Sequence, residues 1–219
     1  MSRKTAYRLV TTAVLLISLG ILGWTDWPPA AEQSRIFLRP NAASLPAAPN
    51  PPPGVLEPRV LSLLWPRAMR LGDFGRIRLE VAPDPSAPLP GPADASAMHL
   101  MLDARLEMPY ARTVPPPGLV SQTMLPGQTV VFEWQVSPYE AGDVEGAVWV
   151  YYRFVVPESG EQEQVLMAVQ PVRVRAVTLL GLSAGVARII GWGGVVLGVI
   201  LSLPLADEFL RRLLSKASA

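Results

Sequence analysis

The chain contains a single imidazole, His99, in the run HLMLDARLE. A histidine performs general-base chemistry when a nucleophile and an orienting carboxylate stand beside it. Here Leu100, Leu102, Ala104 and Leu106 alternate with Met101, Asp103 and Arg105, which puts His99 in phase with the polar positions. A rim histidine with no catalytic role is expected. Glu140, Asp143 and Glu145 are close in sequence, and paired carboxylates could work as acid and base on a sugar. They fall in one predicted turn, however, where acidic side chains ordinarily serve as solvating groups. The polar run ESGEQEQ at 158–164 reads as a hairpin loop. No D-x-D-x-D spacing suits calcium, no Met spacing supports haem ligation by His99, and neither G-x-S-x-G nor a phosphate-binding glycine loop occurs. GWGGVVLG has the glycines but lies inside an apolar run. The chain has no cysteine, so disulfides, thiolate nucleophiles and cysteine-ligated metals are excluded. The expectation is a non-enzymatic protein with no catalytic residue, no metal ligands and no cofactor.

The elements that would carry such residues follow from where apolar residues cluster. The chain has 219 residues, with apolar runs at both ends and a mixed middle, enough for one domain plus membrane segments. A net charge of +1 lacks the concentrated basic face that nucleic acid requires. Arg3, Lys4 and Arg8 form a basic flank ahead of the uncharged run 9–24. This run reads as a transmembrane signal anchor or as a cleaved signal peptide. The anchor is favoured: the one cleavage-like site, Pro28-Pro29-Ala30, is poor, and Trp24 and Trp27 suit an interfacial aromatic anchor. A second apolar run, 177–205, is interrupted by Arg188, and the tail 206–219 places Phe209, Leu210, Leu213 and Leu214 at helical spacing. Arg211, Arg212 and Lys216 mark this amphipathic tail as cytoplasmic. The predicted topology puts both termini (1–8 and 206–219) in the cytoplasm and the middle outside.

In that middle, 25–54 is expected to be a Pro-rich linker extended as polyproline II, on the strength of RPNAASLPAAPNPPPG. From 55 to 176 the period becomes two. Ile77, Leu79 and Val81 alternate with Arg76, Arg78 and Glu80, and Val130, Phe132, Trp134 and Val136 alternate with Val131, Glu133 and Gln135. Similar runs near 60–64, 100–106, 119–124, 148–154 and 165–174 bring the count to about seven strands, separated by Pro/Gly turns. Trp134 is expected in the core. TVVFEWQVSPYEAGDVEGAVWVYY and WPRAMRLGDFGRIRLEV resemble the strand pairs of membrane-anchored bacterial immunoglobulin-like modules. The resemblance implies an Ig-like β-sandwich and carries no site.

The second apolar run offers packing. Gly181 and Gly185, then Gly194, Gly198 and Ser202, place small residues one turn apart, while Ala187 and Gly191 fall on another face. Such spacing lets helix backbones approach closely, and the partner is either the chain's own first helix or another subunit, self-association included. Arg188 has two placements. It lies at the outer interface with Trp192 just inside, leaving 177–187 as an apolar helical segment above the membrane, or it lies within the bilayer and pairs with another subunit. The interface is favoured. Function is then expected to be interaction: an accessory or scaffolding subunit of a bacterial membrane assembly, with extracytoplasmic ligand sensing through a separate cytoplasmic partner as the alternative. Nothing in the sequence identifies a small-molecule substrate.

Overall fold

The computed structural model describes residues 3–28, 30–38, 57–86, 99–155 and 162–217; for 3–4, 99 and 204–217 it describes the backbone alone. The Pro-rich stretch 39–54, residues 156–161 and the side chain of His99 lie outside the described residues. The chain divides into two compact units. One is Pro29–Val177; the other joins Met1–Pro28 to Thr178–Ala219.

The described residues of the first unit are built from β-strands. Among the described residues, ten strands run in the order β1 (Ala31–Leu38), β2 (Arg59–Pro66), β3 (Ala68–Arg70), β4 (Gly75–Pro83), β5 (His99–Glu107), β6 (Ala111–Val114), β7 (Val120–Thr123), β8 (Val130–Pro138), β9 (Gly142–Val155) and β10 (Gln162–Val177). They form two five-stranded sheets, ordered β1-β2-β4-β8-β6 and β3-β10-β9-β5-β7. All pairings are antiparallel except β3 with β10. The alternating apolar residues turn toward each other: Leu61, Leu63, Ile77, Leu79, Phe132 and Trp134 from the first sheet meet Leu102, Leu106, Val148, Val150, Tyr152 and Val174 from the second, all buried. Trp134 stacks along Phe132 with centroids 6.1 Å apart. Each such side chain contributes roughly 1.5–3 kcal/mol through the apolar surface it removes from water.

Three strands go beyond the predicted seven. Residues 31–38 were expected within the 25–54 linker but form β1, which pairs along the whole of β2. Its sequence, AEQSRIFL, turns only Ile36 and Leu38 toward the core, too short a pattern to stand out. β3 and β6 are edge strands of three and four residues whose pairing comes from β10 and β8.

One inward position on β2 is charged. Arg59 continues the phase of Leu61, Leu63 and Trp65 and is fully buried. It pairs with buried Glu57. The Arg59 guanidinium also donates to the carbonyls of Gln128 (2.6 Å) and Leu125 (3.1 Å), and Glu57 accepts the Gly127 N–H at 3.1 Å. Gly127 adopts φ +71°, a conformation glycine takes without strain. The pair thus fastens the start of β2 to the turn between β7 and β8. Tyr152 lies near it. Burial pushes its phenol up to about 12, with Arg59 partly opposing and Glu57 reinforcing the shift.

Two outcomes follow. Arg59→Leu leaves Glu57 buried without its cation and lowers the stability of the sandwich by about 3–5 kcal/mol, read from chemical unfolding of the full chain in detergent. Between pH 10 and 12 an unfolded Tyr152 loses its proton before the folded one does, so stability falls across that window by roughly 2–3 kcal/mol. Tyr152→Phe removes that part of the alkaline loss, seen as a flatter stability profile than wild type above pH 10.

Candidate functional site

The second unit is a helix pair, and it holds the residues singled out from the sequence. α1 (Arg3–Asp26) is longer than the run 9–24, because Thr5, Ala6, Tyr7 and Arg8 continue the helix toward the basic start. α2 (Ala184–Ala217) includes the backbone of the tail. Both have stretches long and apolar enough to cross a bilayer, Thr5–Asp26 and Ala184–Leu203. The expected apolar helix over 177–187 is absent up to Ser183. Val177 is the last residue of β10, Leu180 (φ 52°) and Gly181 (φ 80°) make a tight turn, and Leu179 bridges to Leu182. A left-handed pair of residues cannot continue a helix.

α1 and α2 pack antiparallel along a seam of small residues. On α2 the seam runs through Ala184, Ala187, Gly191, Gly194 and Gly198, with alternating spacings of three and four. On α1 it runs through Thr11, Leu15, Ser18, Leu22 and Thr25, of which Thr11, Ser18 and Thr25 are buried. Alternation of three and four is the 3.5-residue repeat that keeps two supercoiling helices in register. It explains why Ala187 and Gly191 share a face with Gly194 and Gly198, whereas a strict four-residue stripe separates them. Added Cβ atoms define the closeness: one on Gly191 would sit 2.8 Å from Leu22 Cδ2, one on Gly198 2.5 Å from Leu15 Cδ2, and one on Gly194 would collide with Ser18 Oγ. Gly185 has open space around it, Gly181 precedes the helix, and neither lines the seam. Ser202 turns its hydroxyl back to Val199 O at 2.7 Å. The seam hydroxyls do likewise: Thr11 donates to Tyr7 O (3.0 Å), Ser18 to Val14 O (2.7 Å) and Thr25 to Leu22 O (2.8 Å). Polar atoms between the helices are thereby satisfied without water.

Each end of the pair carries a polar tie. At one, Tyr7 donates from its phenol to Leu201 O at 2.7 Å. At the other, half-buried Arg188 donates to Thr25 O at 3.4 Å. Thr25 lies in the last turn of α1, where carbonyls lack helical partners and the helix dipole is negative. A guanidinium there caps the helix and meets its charge preference. Trp24 and Trp27 flank Thr25, and Trp192 follows Arg188 by one turn, so all four residues expected at an interface gather at this end. Trp192 and Trp27 are exposed, and Trp24 is half-buried. Among the described residues no group of three or more histidines or carboxylates is placed to hold a metal ion.

No protein-family model matches the chain, and no curated protein matches it. Among solved structures it is similar to the cupredoxin domain of amoB from Nitrosocaldus yellowstonii, at 12% identity and a TM-score of 0.19, over 48% of this chain and 57% of that one. The match thus spans little more than half of that neighbour, and a TM-score of this size carries no argument about fold type or function.

The seam makes a direct prediction. Gly194→Val overpacks against Ser18 and costs about 1–3 kcal/mol of helix pairing, whereas Gly185→Ala and Gly193→Ala point into open space and cost nothing measurable. Hydrogen–deuterium exchange across 11–25 in micelles reads the difference, with faster exchange in the first variant alone.

Proposed function

We propose that this chain is a two-span bacterial membrane protein that holds an Ig-like sandwich outside the cytoplasm and serves as a non-enzymatic accessory or scaffolding subunit of a membrane assembly. The observation that carries the reading is the seam. α1 supplies Leu15, Ser18 and Leu22 to the small-residue face of α2, a structural role that a cleaved leader would vacate, and this supports reading the first segment as an uncleaved anchor. An antiparallel pair also returns both chain ends to one side, in keeping with the basic flanks at Arg3, Lys4 and Arg8 and at Arg211, Arg212 and Lys216.

Placing Arg188 at the outer boundary is consistent with both lengths. About 20 residues cross the hydrocarbon. Counted inward from Thr25, that distance ends near Thr5, beside the basic flank; counted from Arg188, it ends near Asp207 and Glu208. The three tryptophans then lie in the interfacial belt, and the guanidinium needs no acidic partner within the bilayer. The Ig-like assignment is supported by strand order. β2-β4-β8-β6 opposite β10-β9-β5, with β7 added at the edge and β3 parallel to β10, follows the A-B-E-D and G-F-C arrangement, with β1 as an addition. The core tryptophan differs, since Trp134 stands on β8 instead of the third strand of that scheme.

The cysteine-free chain allows a clean topology test. In intact cells stripped of any outer barrier, an impermeant maleimide labels Ser86→Cys, and it labels Ser218→Cys only after permeabilisation; the reverse pattern overturns the orientation. Native mass determination after mild extraction is expected to find a stoichiometric second subunit, and a partnerless monomer overturns the accessory role. Arg188→Leu leaves that association intact if the arginine sits at the interface.

A further inference from the structure

Where the chain passes from β2 in one sheet to β3 in the other, the sandwich opens into a cleft of about 770 Å³. Its lining includes Trp65, which is 7% exposed and donates its indole N–H to Arg173 O at 3.2 Å. Arg67, Arg173 and Arg175 line the cleft against two carboxylates, Glu32 and Asp143.

These arginines are not equivalent. Arg173 is committed: it holds Asp143 at 2.7 Å and Glu145 at 3.7 Å. That contact, by hydrogen bond and charge, keeps the Asp143 carboxyl below the usual range, with the charge of Arg175 adding to the effect. The guanidiniums of Arg67 and Arg175 make no hydrogen bond or ion pair among the described residues, and both are exposed. They are backbone neighbours, since the Arg175 N–H donates to Arg67 O at 3.0 Å. Two unengaged guanidiniums beside an indole present planar forks of donors suited to an anion with several oxygens, and a phosphate satisfies both.

The source of that phosphate follows from the covalent chain. Ala30 and Val177 border the cleft. Ala30 comes four positions after Asp26, the end of α1, and Val177 seven positions before Ala184, the start of α2. At about 3.3–3.6 Å per residue, connections this short reach at most roughly 15 Å and 25 Å, which is the scale of a headgroup layer and not of a separate soluble domain. We propose that this cleft binds the phosphate of an anionic phospholipid headgroup through Arg67 and Arg175, with Trp65 and its apolar neighbours against the glycerol portion. The proposal rests on the two-span membrane reading above.

The test uses the full chain in detergent micelles, titrated with phosphatidylglycerol or phosphatidylcholine and read by native mass spectrometry. Wild type is expected to retain phosphatidylglycerol in preference to phosphatidylcholine. The double variant Arg67→Gln/Arg175→Gln weakens that retention about tenfold or more, whereas Arg76→Gln/Arg105→Gln, on other parts of the surface, leaves it unchanged. Unaltered melting temperatures show that the variants fold. Equal retention of both lipids, or undiminished retention by the first double variant, overturns the proposal. Displacement of the lipid by equimolar inorganic phosphate assigns the site to a soluble anion and overturns the lipid source. A chain that remains in solution without detergent instead overturns the membrane reading itself.

Discussion

Three glycines on α2, at 191, 194 and 198, have no room for a β-carbon because Leu22, Ser18 and Leu15 of α1 already occupy that space. Inside a bilayer no hydrophobic force drives one helix against another, since lipid tails are as apolar as the side chains they would replace. Association must come from close packing, and close packing requires small residues over a continuous stretch. The alternating spacing of three and four supplies that stretch on both helices. The topology follows from this seam. An antiparallel pair places the Tyr7–Leu201 tie at one end and the Thr25–Arg188 tie at the other, and the chain leaves α1 and enters α2 at that second end. Arg188, which interrupts the apolar run of α2, donates to a carbonyl in the last turn of α1.

The sandwich meets a different constraint. Water is available to its loops but not to the space between its sheets, so an inward charged side chain must find all its partners within the protein. The terminal nitrogens of Arg59 do so, reaching two carbonyls of the β7–β8 turn and Glu57, which takes a backbone N–H from that same turn, while its Nε makes no hydrogen bond among the described residues. The pair works as a fastening between the entry to β2 and a turn that joins the two sheets. The chain has no cysteine, so no disulfide shares this role.

Legibility in the sequence followed the physics of each element. β4 and β8 stand out because one face is apolar and the other charged, and the residues expected inside, Ile77, Leu79, Val81, Phe132, Trp134 and Val136, are buried. β1, β3 and β6 are edge strands that turn one or two apolar side chains inward and depend on pairing that no local pattern records. The two apolar helices were evident from length and hydropathy, but the contacts between them were not. A stripe of every fourth residue favours Gly181 and Gly185, whereas the supercoiled repeat selects Gly191, Gly194 and Gly198. The left-handed turn at Leu180 and Gly181 was hidden inside an unbroken apolar run. Arg59 carried a readable signal, an arginine in phase with Leu61, Leu63 and Trp65, but its partners at 125–128 are backbone groups far along the chain. Arg173 and Arg175 alternate with buried Val172, Val174 and Ala176 on β10, and only the fold brings Arg67 beside them.

The central claim is that the glycine seam closes within one chain and is not the surface by which α2 finds another subunit. Nuclear magnetic resonance on the full protein in nanodiscs, prepared from a mixture of isotopically labelled and unlabelled chains, separates the two cases. A seam closed within one chain gives Overhauser contacts between Gly194 Hα and the Ser18 side chain at full intensity within labelled chains and none between labelled and unlabelled ones. Gly194–Ser18 contacts that appear only between differently labelled chains would contradict it.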